Sequence, residues 1–255
     1  MRYIDTHTHL YTEEFDPDRN QVMQAAIDAG VTKMVMPAID TDSHKQLIDL
    51  ADKWPGVVFP AMGVHPTSIN IDYKQQLDAV EQYLAQRHFC AIGEIGTDFY
   101  WDTTFATQQI DAFTVQLRWA IDANKPVIIH TRNSMDETLK VLETFVCPQL
   151  RGILHCFSGT AEQAKKAIEM GFLIGIGGVL TFKKSDTPNI VNEIGIDHLV
   201  LETDSPYLTP VPFRGSRNES KHIPVIAQKL AEVLNVSVEK VAEVTTKNAE
   251  NLFGI

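Results

Sequence analysis

Asp5-Thr6-His7-Thr8-His9 places two imidazoles one residue apart near the start of the chain, directly after the apolar pair Tyr3-Ile4. In an extended strand alternate side chains share a face, at a rise of ~3.3 Å per residue, so His7 and His9 are expected ~7 Å apart and pointing the same way, with Asp5 behind them. The intervening threonines favour that backbone through their β-branch. Such a pair suits a divalent cation, although a lone His-x-His serves equally well as two hydrogen-bonded histidines at a sheet end. Further polar residues close other apolar runs: His65, Glu94, His130, His155, and the carboxylates Glu202 and Asp204. Four of these histidines and two of the carboxylates, converging on one place, read as ligands of divalent metal. Packed apolar residues would otherwise be cheaper, because each buried unpaired polar group costs ~1 to 3 kcal/mol.

That many ligands suit two ions. Histidine with carboxylate fits zinc, manganese or iron, and magnesium fits if water completes the shell. A carboxylate bridging ions ~3.5 to 4 Å apart is a standard arrangement, and Glu94 is the candidate bridge. A carboxylated lysine cannot supply the bridge from this run, because no lysine lies between Lys74 and Lys125.

The residues must be brought together by the elements that carry them. Apolar runs span 3–10, 33–39, 57–64, 90–95, 127–130, 152–156, 172–176 and 199–202, with helical periodicity between them. Ile110, Phe113, Leu117, Ala120 and Ile121 mark one helix face, Leu77, Val80 and Leu84 another, and Ala164, Ala167 and Ile168 a third that stops at Gly171. Ile223, Ile226, Leu230, Val233 and Leu234 mark a late helix, with one more from about Val238. Eight strands alternating with helices over this length predict an α/β chain folded as a (β/α)₈ TIM barrel, a single domain over 1–255. A doubly wound sheet is the alternative, but the turn after the first run holds His-Thr-His where a glycine-rich phosphate loop would stand. In a barrel the carboxyl ends of the strands carry the chemistry, which is where His7, His9, His65, Glu94, His130, His155, Glu202 and Asp204 fall. His44, His88, His198 and His222 lie on helices or connections and are expected at the surface.

The 255 residues are 44% hydrophobic, enough for a sizeable core, and carry 33 acidic against 22 basic side chains, a formal charge of −11. That balance argues against broad attraction to a polyanion, without excluding a local basic patch or bound cations. No apolar run is long enough for a membrane span and no leader precedes the first strand, so a soluble, cytoplasmic protein without membrane contact is expected. Three cysteines, Cys90, Cys147 and Cys156, lack metal-knuckle spacing and are expected as buried thiols. A full barrel closes its own core, so a monomer is the default.

The motifs also carry a resemblance. Asp5-Thr6-His7-Thr8-His9, Gly93-Glu94-Ile95-Gly96-Thr97-Asp98, His130-Thr131-Arg132, His155-Cys156-Phe157-Ser158-Gly159 and Glu202-Thr203-Asp204-Ser205-Pro206-Tyr207-Leu208 resemble those of the TatD family of metal-dependent deoxyribonucleases, within the amidohydrolase superfamily. The segment Thr209 to Asn218 extends the similarity, which spans essentially the whole chain. Thr97, Ser216 and Ser220 stand where the family commonly has leucine, lysine and proline, and the missing lysine weakens the anion-binding case.

The resemblance implies His7, His9, Glu94, His130, His155 and Asp204 as metal ligands and a hydrolytic nuclease activity on DNA. Single strands are the favoured substrate, with 3′–5′ exonucleolysis as the narrower form. Hydrolysis by metal-activated water would use Glu94 as the bridge and Asp204 as ligand and proton acceptor. His65, Arg214 and Arg217 are candidates for holding a phosphate, although His65 would also serve as a structural residue before Pro66, and the arginines as loop-anchoring ion pairs. Trp101 and Tyr207 lie just past the fourth and eighth runs, where stacking on a base is conceivable, but packing in the core or rim is the expectation for both. The alternative activity is that of an amidase or lactonase of the same superfamily on a small carbonyl substrate, since fold and metal pair do not dictate the scissile bond.

Overall fold

A computed structural model describes residues 1–255. Its strands are β1 (Tyr3–Asp5), β2 (Val31–Pro37), β3 (Val58–Met62), β4 (Ala91–Asp98), β5 (Val127–Arg132), β6 (Gly152–Leu154), β7 (Phe172–Ile176) and β8 (Leu199–Leu201). They pair in parallel in chain order, as connection through intervening helices requires. The Thr6 amide donates to the Leu201 carbonyl at 3.0 Å and the Asp204 amide to that of His7 at 2.9 Å, which brings the last strand back against the first. The helices are α1 (Arg19–Asp28), α2 (His44–Lys53), α3 (Tyr73–Gln86), α4 (Ala106–Asp122), α5 (Met135–Glu143), α6 (Ala161–Glu169), α7 (Thr187–Ile194), α8 (Ile223–Leu234) and α9 (Val238–Phe253). The expected single-domain (β/α)₈ barrel is what forms.

Two layers of apolar side chains follow from strand alternation. Met34, Met36, Val127, Ile129, Ile174, Leu199 and Leu201 face outward onto the helices and form one core with them. Ile4, Val35, Ala61, Ala91, Ile128, Ile153 and Val200 face inward as a floor, closed from below by Leu252 and Phe253 of α9. The same alternation carried one step further turns His130, His155 and Glu202 into the interior, above that floor.

Several strand limits differ from expectation. The run at 3–10 is regular only over β1; beyond it the chain stays extended but interleaves between its neighbours. Thr8 donates to the Val35 carbonyl at 3.2 Å and His9 to that of Ser205 at 2.8 Å. Regular pairing likewise stops at Leu154 in β6 and Leu201 in β8, one residue before His155 and Glu202.

β4 departs most. Its register against β5 slips between Ile92, opposite Val127, and Ile95, opposite Ile129, so three steps on β4 match two on β5. This bulge keeps both isoleucines on the outer face and turns Glu94 inward, where strict alternation would have sent it outward. Beyond it β4 closes on β5 at Gly96 (φ +136°), where a Cβ would lie 2.0 Å from the His130 carbonyl oxygen. Gly96→Ala should therefore destabilise by about 3 kcal/mol, combining overpacking with left-handed strain. At ~2 to 4 °C per kcal/mol for a chain this size, thermal unfolding followed by circular dichroism should report a midpoint lowered by roughly 6 to 12 °C. An unchanged midpoint would mean that the two strands separate freely here.

Candidate metal centre

Glu94 occupies the middle of the mouth, almost fully buried, and its two carboxylate oxygens face different sets of imidazoles. Oε2 lies 3.1 Å from His7 Nε2 and 3.6 Å from His9 Nε2. Oε1 lies 2.9 Å from His155 Nε2, 3.0 Å from His130 Nδ1 and 3.2 Å from His65 Nε2. Asp204, at a left-handed φ of 55°, brings Oδ1 to 3.7 Å from both His7 Nε2 and His9 Nε2. The ligand-capable atoms of His7, His9 and Glu94, of His7, His155 and Asp204, and of His65, Glu94 and His130 each lie within 4.8 Å of one another.

Backbone bonds hold these groups in place. The amides of His65, His155 and Glu202 donate to the carbonyls of Ile39, Ile129 and Ile176, each on the preceding strand or just past its end, while the Glu94 amide reaches two strands back to the carbonyl of Ala38, just past β2. The site is thus an extension of the barrel ladder. Gly175 leaves the seventh position without a side chain, and Glu202 fills the space: a Cβ there would lie 2.4 Å from Glu202 Oε2.

Second partners decide which ring nitrogens offer lone pairs. Tyr11 donates its only hydroxyl proton to the Pro37 carbonyl at 2.7 Å, so the 3.1 Å contact between His9 Nδ1 and that hydroxyl must be donated by the ring. His9 Nε2 is then a bare lone pair aimed into the site. His130 Nε2 lies 2.9 Å from Asp98 Oδ2, which assigns the proton to Nε2 and the lone pair to Nδ1, beside Glu94. His65 is the reverse: its Nδ1 accepts the Thr67 amide at 3.1 Å, so its proton sits on Nε2 and points inward. His9 and His130 therefore fit a cation, whereas His65 fits an acceptor.

Electrostatics agree. Burial alone would raise the Glu94 carboxyl, but His155, His65 and His7, with the bond from His130, outweigh it and hold it well below the carboxylate range. Burial lowers His9 to about 4 and, with the charge of His155, takes His7 well below the usual histidine value. His155 moves the other way: burial opposes its charge, but Glu94 and Glu202 raise it well above that value. Its ring stacks on His7 with centroids 3.7 Å apart, so charge on either ring disfavours charge on the other. Burial, reinforced by Glu94 and Glu202, pushes Asp204 up to about 7. Nitrogen lone pairs crowded around carboxylates are a donor set for which protons and divalent cations compete.

The structure brings all six sequence-predicted ligands to this point, and His65 lies beside them as a seventh residue. Asp5 does not touch the His7 ring. It accepts from the amide and hydroxyl of Thr203, at 3.0 and 2.6 Å, and from the His7 amide at 3.3 Å, tying the ends of β1 and β8 together. Arg217 is an anchor, bonded to Asp18 at 2.7 and 2.9 Å and to Glu219 at 3.3 Å. Arg214 lies exposed over the Phe182 ring, bonded only to the Thr209 carbonyl and without a carboxylate partner. Two expectations of surface histidines are corrected. His44 is fully buried against Tyr83 of α3, and His222, in the turn that leads into α8, is buried on Phe213 and bonded to Asn218. Of the cysteines, only Cys90 is buried; Cys147 and Cys156 are half-buried. Trp101 and Tyr207, expected to pack, are 72% and 54% exposed. Sequence reasoning assigned no role to Asp98, Tyr11 or Asn218. Asn218 donates to the carbonyls of Thr203 and Tyr207, at 2.7 and 2.6 Å, and holds the loop after β8. The one available signal was an aspartate, Asp98, three residues beyond the end of the predicted fourth run.

A family model described as TatD related DNase matches residues 4–254. The metal-dependent hydrolase YabD of Bacillus subtilis is 34% identical over 253 residues, covering 99% of both chains. The 3′–5′ ssDNA/RNA exonuclease TatD of Escherichia coli is 31% identical over 259 residues, again covering 99% of each. The crystal structure of YjjV, a TatD homologue from Escherichia coli, superposes with a TM-score of 0.92 at 28% identity, covering 100% of this chain and 98% of that one.

Partners of ligating histidines are worth roughly 10- to 100-fold in metal affinity. Asp98→Ala and Tyr11→Phe should each weaken divalent-metal binding on that scale in competition with a chromogenic chelator, while circular dichroism stays native. Undiminished affinity in both would show that ring orientation is set by packing alone.

Proposed function

Because the chain belongs to the TatD family of metal-dependent hydrolases, we propose that it is a nuclease that hydrolyses phosphodiester bonds of single-stranded nucleic acid, with DNA as the favoured substrate. The carrying observation is the division of Glu94, whose Oε2 faces His7 and His9 while Oε1 faces His130 and His155. That geometry suits a carboxylate shared by two divalent ions, with Asp204 completing the His7 and His9 side. Zinc, manganese or magnesium bound there would acidify a water and polarise a phosphoryl oxygen.

The protein's own groups divide the remaining work. His65 offers a proton on Nε2 at the edge of the cluster, where an acceptor oxygen of a phosphate would take the place that Glu94 Oε1 holds at 3.2 Å. Its anchor on Thr67 fixes that direction. Asp204, whose Oδ1 lies 3.7 Å from both His7 Nε2 and His9 Nε2, is placed at the cluster to accept a proton from the attacking water. Arg214, exposed and free of carboxylates, is the second phosphate contact. Arg217 supports the loop that carries Arg214 by its ion pair with Asp18. The Escherichia coli relative named a 3′–5′ ssDNA/RNA exonuclease supports single strands as substrate and exonucleolysis as the mode.

End-labelled single-stranded DNA, incubated with metal-replete protein, should be shortened, and chelator should abolish the reaction. Asp204→Asn and Glu94→Gln should each lower kcat by at least ~10²-fold, the scale of a lost acid–base group or bridge. Cleavage that survives chelator, or that is undiminished in both variants, would overturn the mechanism. Intact DNA with turnover of amides or lactones would assign the site to carbonyl substrates.

A further inference from the structure

Beyond the ligand cluster, β5 presents Arg132 two residues past His130, on the same inward face and ~7 Å nearer the mouth. Its guanidinium carbon lies 3.8 Å from the centroid of the Tyr100 ring and 5.3 Å from that of Trp101. The two rings meet edge to face, with centroids 4.8 Å apart at 89°. Neither aromatic is packed under the protein: Trp101 is 72% exposed and Tyr100 49%. This corner is built onto the site. The Phe99 amide donates to the Arg132 carbonyl at 2.9 Å, and the Tyr100 amide to Asp98 Oδ1 at 2.9 Å. Asp98 holds the His130 ring with its other oxygen.

Exposing an indole and a phenol side by side forgoes burial worth ~1.5 to 3 kcal/mol per side chain, so the arrangement calls for an occupant. Its chemistry is specified from two sides. Arg132 makes no ion pair, although the chain carries 33 acidic residues, and its donors are free for an anion. Held against Tyr100, its planar fork is pre-ordered for a phosphate, while the open indole face beside it suits a flat, apolar ring. A flat ring joined to a phosphate is a nucleotide. We propose that Trp101, Tyr100 and Arg132 form a stacking platform for one nucleobase and its phosphate at the rim of the site, so that the enzyme selects single-stranded nucleic acid over phosphodiesters lacking bases. The inference rests on the nuclease reading and adds to it the feature recognised: an unstacked base, available in a single strand and withheld in a duplex.

The test compares kcat/KM on a single-stranded DNA oligonucleotide with that on an all-abasic oligonucleotide of equal length, using metal-replete enzyme. The unsubstituted enzyme should prefer the base-bearing strand. Trp101→Ala should reduce that preference about tenfold, chiefly through KM, the scale of one base stacked on one aromatic ring, and Trp101→Phe should restore most of it. Arg132→Gln should weaken both substrates and flatten the dependence of KM on salt. Circular dichroism checks the fold of each variant. A preference unaltered by Trp101→Ala, or absent from the unsubstituted enzyme while it still cuts DNA, would overturn the platform and leave the nuclease reading standing. If the unsubstituted enzyme cuts neither strand, the nuclease reading falls and the platform with it.

Discussion

The burial of the Glu94 carboxylate is the constraint on which the rest of this molecule turns. An ion of that size loses several kcal/mol of solvation in the interior, and nothing apolar can return it. The barrel answers with imidazoles from β3, β5, β6 and the extended chain after β1, all directed at the two oxygens. Those imidazoles are themselves buried, and burial opposes charge on each of them. Stability and chemistry therefore ask for the same thing, positive charge at the centre of the mouth. A donor set that neither ionises fully nor neutralises fully is suited to exchange protons for divalent cations.

Within that cluster the histidines look alike in sequence and differ in what they can do. His9 and His130 each surrender their proton to a fixed acceptor, Tyr11 and Asp98, and turn a lone pair inward. His65 spends its lone pair on the Thr67 amide and turns a proton inward. Proximity alone would group His65 with the metal-binding residues, since it sits with Glu94 and His130. The direction of one backbone amide separates it from them and fits it to an acceptor oxygen instead.

The fold and the cluster were legible because both depend on periodicity. Apolar runs of period two, closed by a polar residue, locate the strand ends, and a parallel barrel gathers those ends at one mouth. Positions where the chain breaks its period were not legible. The β4 bulge that turns Glu94 inward leaves no pattern in Gly93-Glu94-Ile95-Gly96; only the glycines at its edges mark it. Asp98 and Tyr11 are ordinary residues until the tertiary fold places them behind His130 and His9. His44 and His222 were misplaced because a histidine on a helix carries no sign of which way it faces. For Arg217 the alternatives could be separated only by seeing Asp18, which lies 199 residues away in sequence.

The acidity of the chain takes on a different meaning once the charges are located. A formal charge of −11 would repel a polyanion if it were spread over the mouth. Screening limits an exposed charge to ~8 Å at physiological salt, so an approaching strand meets only local charge. Locally there are two zones. Carboxylates lie deep, enclosed by imidazoles, where their field favours cations. Arg132 and Arg214, both exposed and unpaired, lie further out, beyond β5 and in the loop after β8. An anion guided by outer arginines toward an inner site whose carboxylates are matched by cations meets attraction at each stage. Charges elsewhere on the chain, beyond the screening length, have little influence on that path.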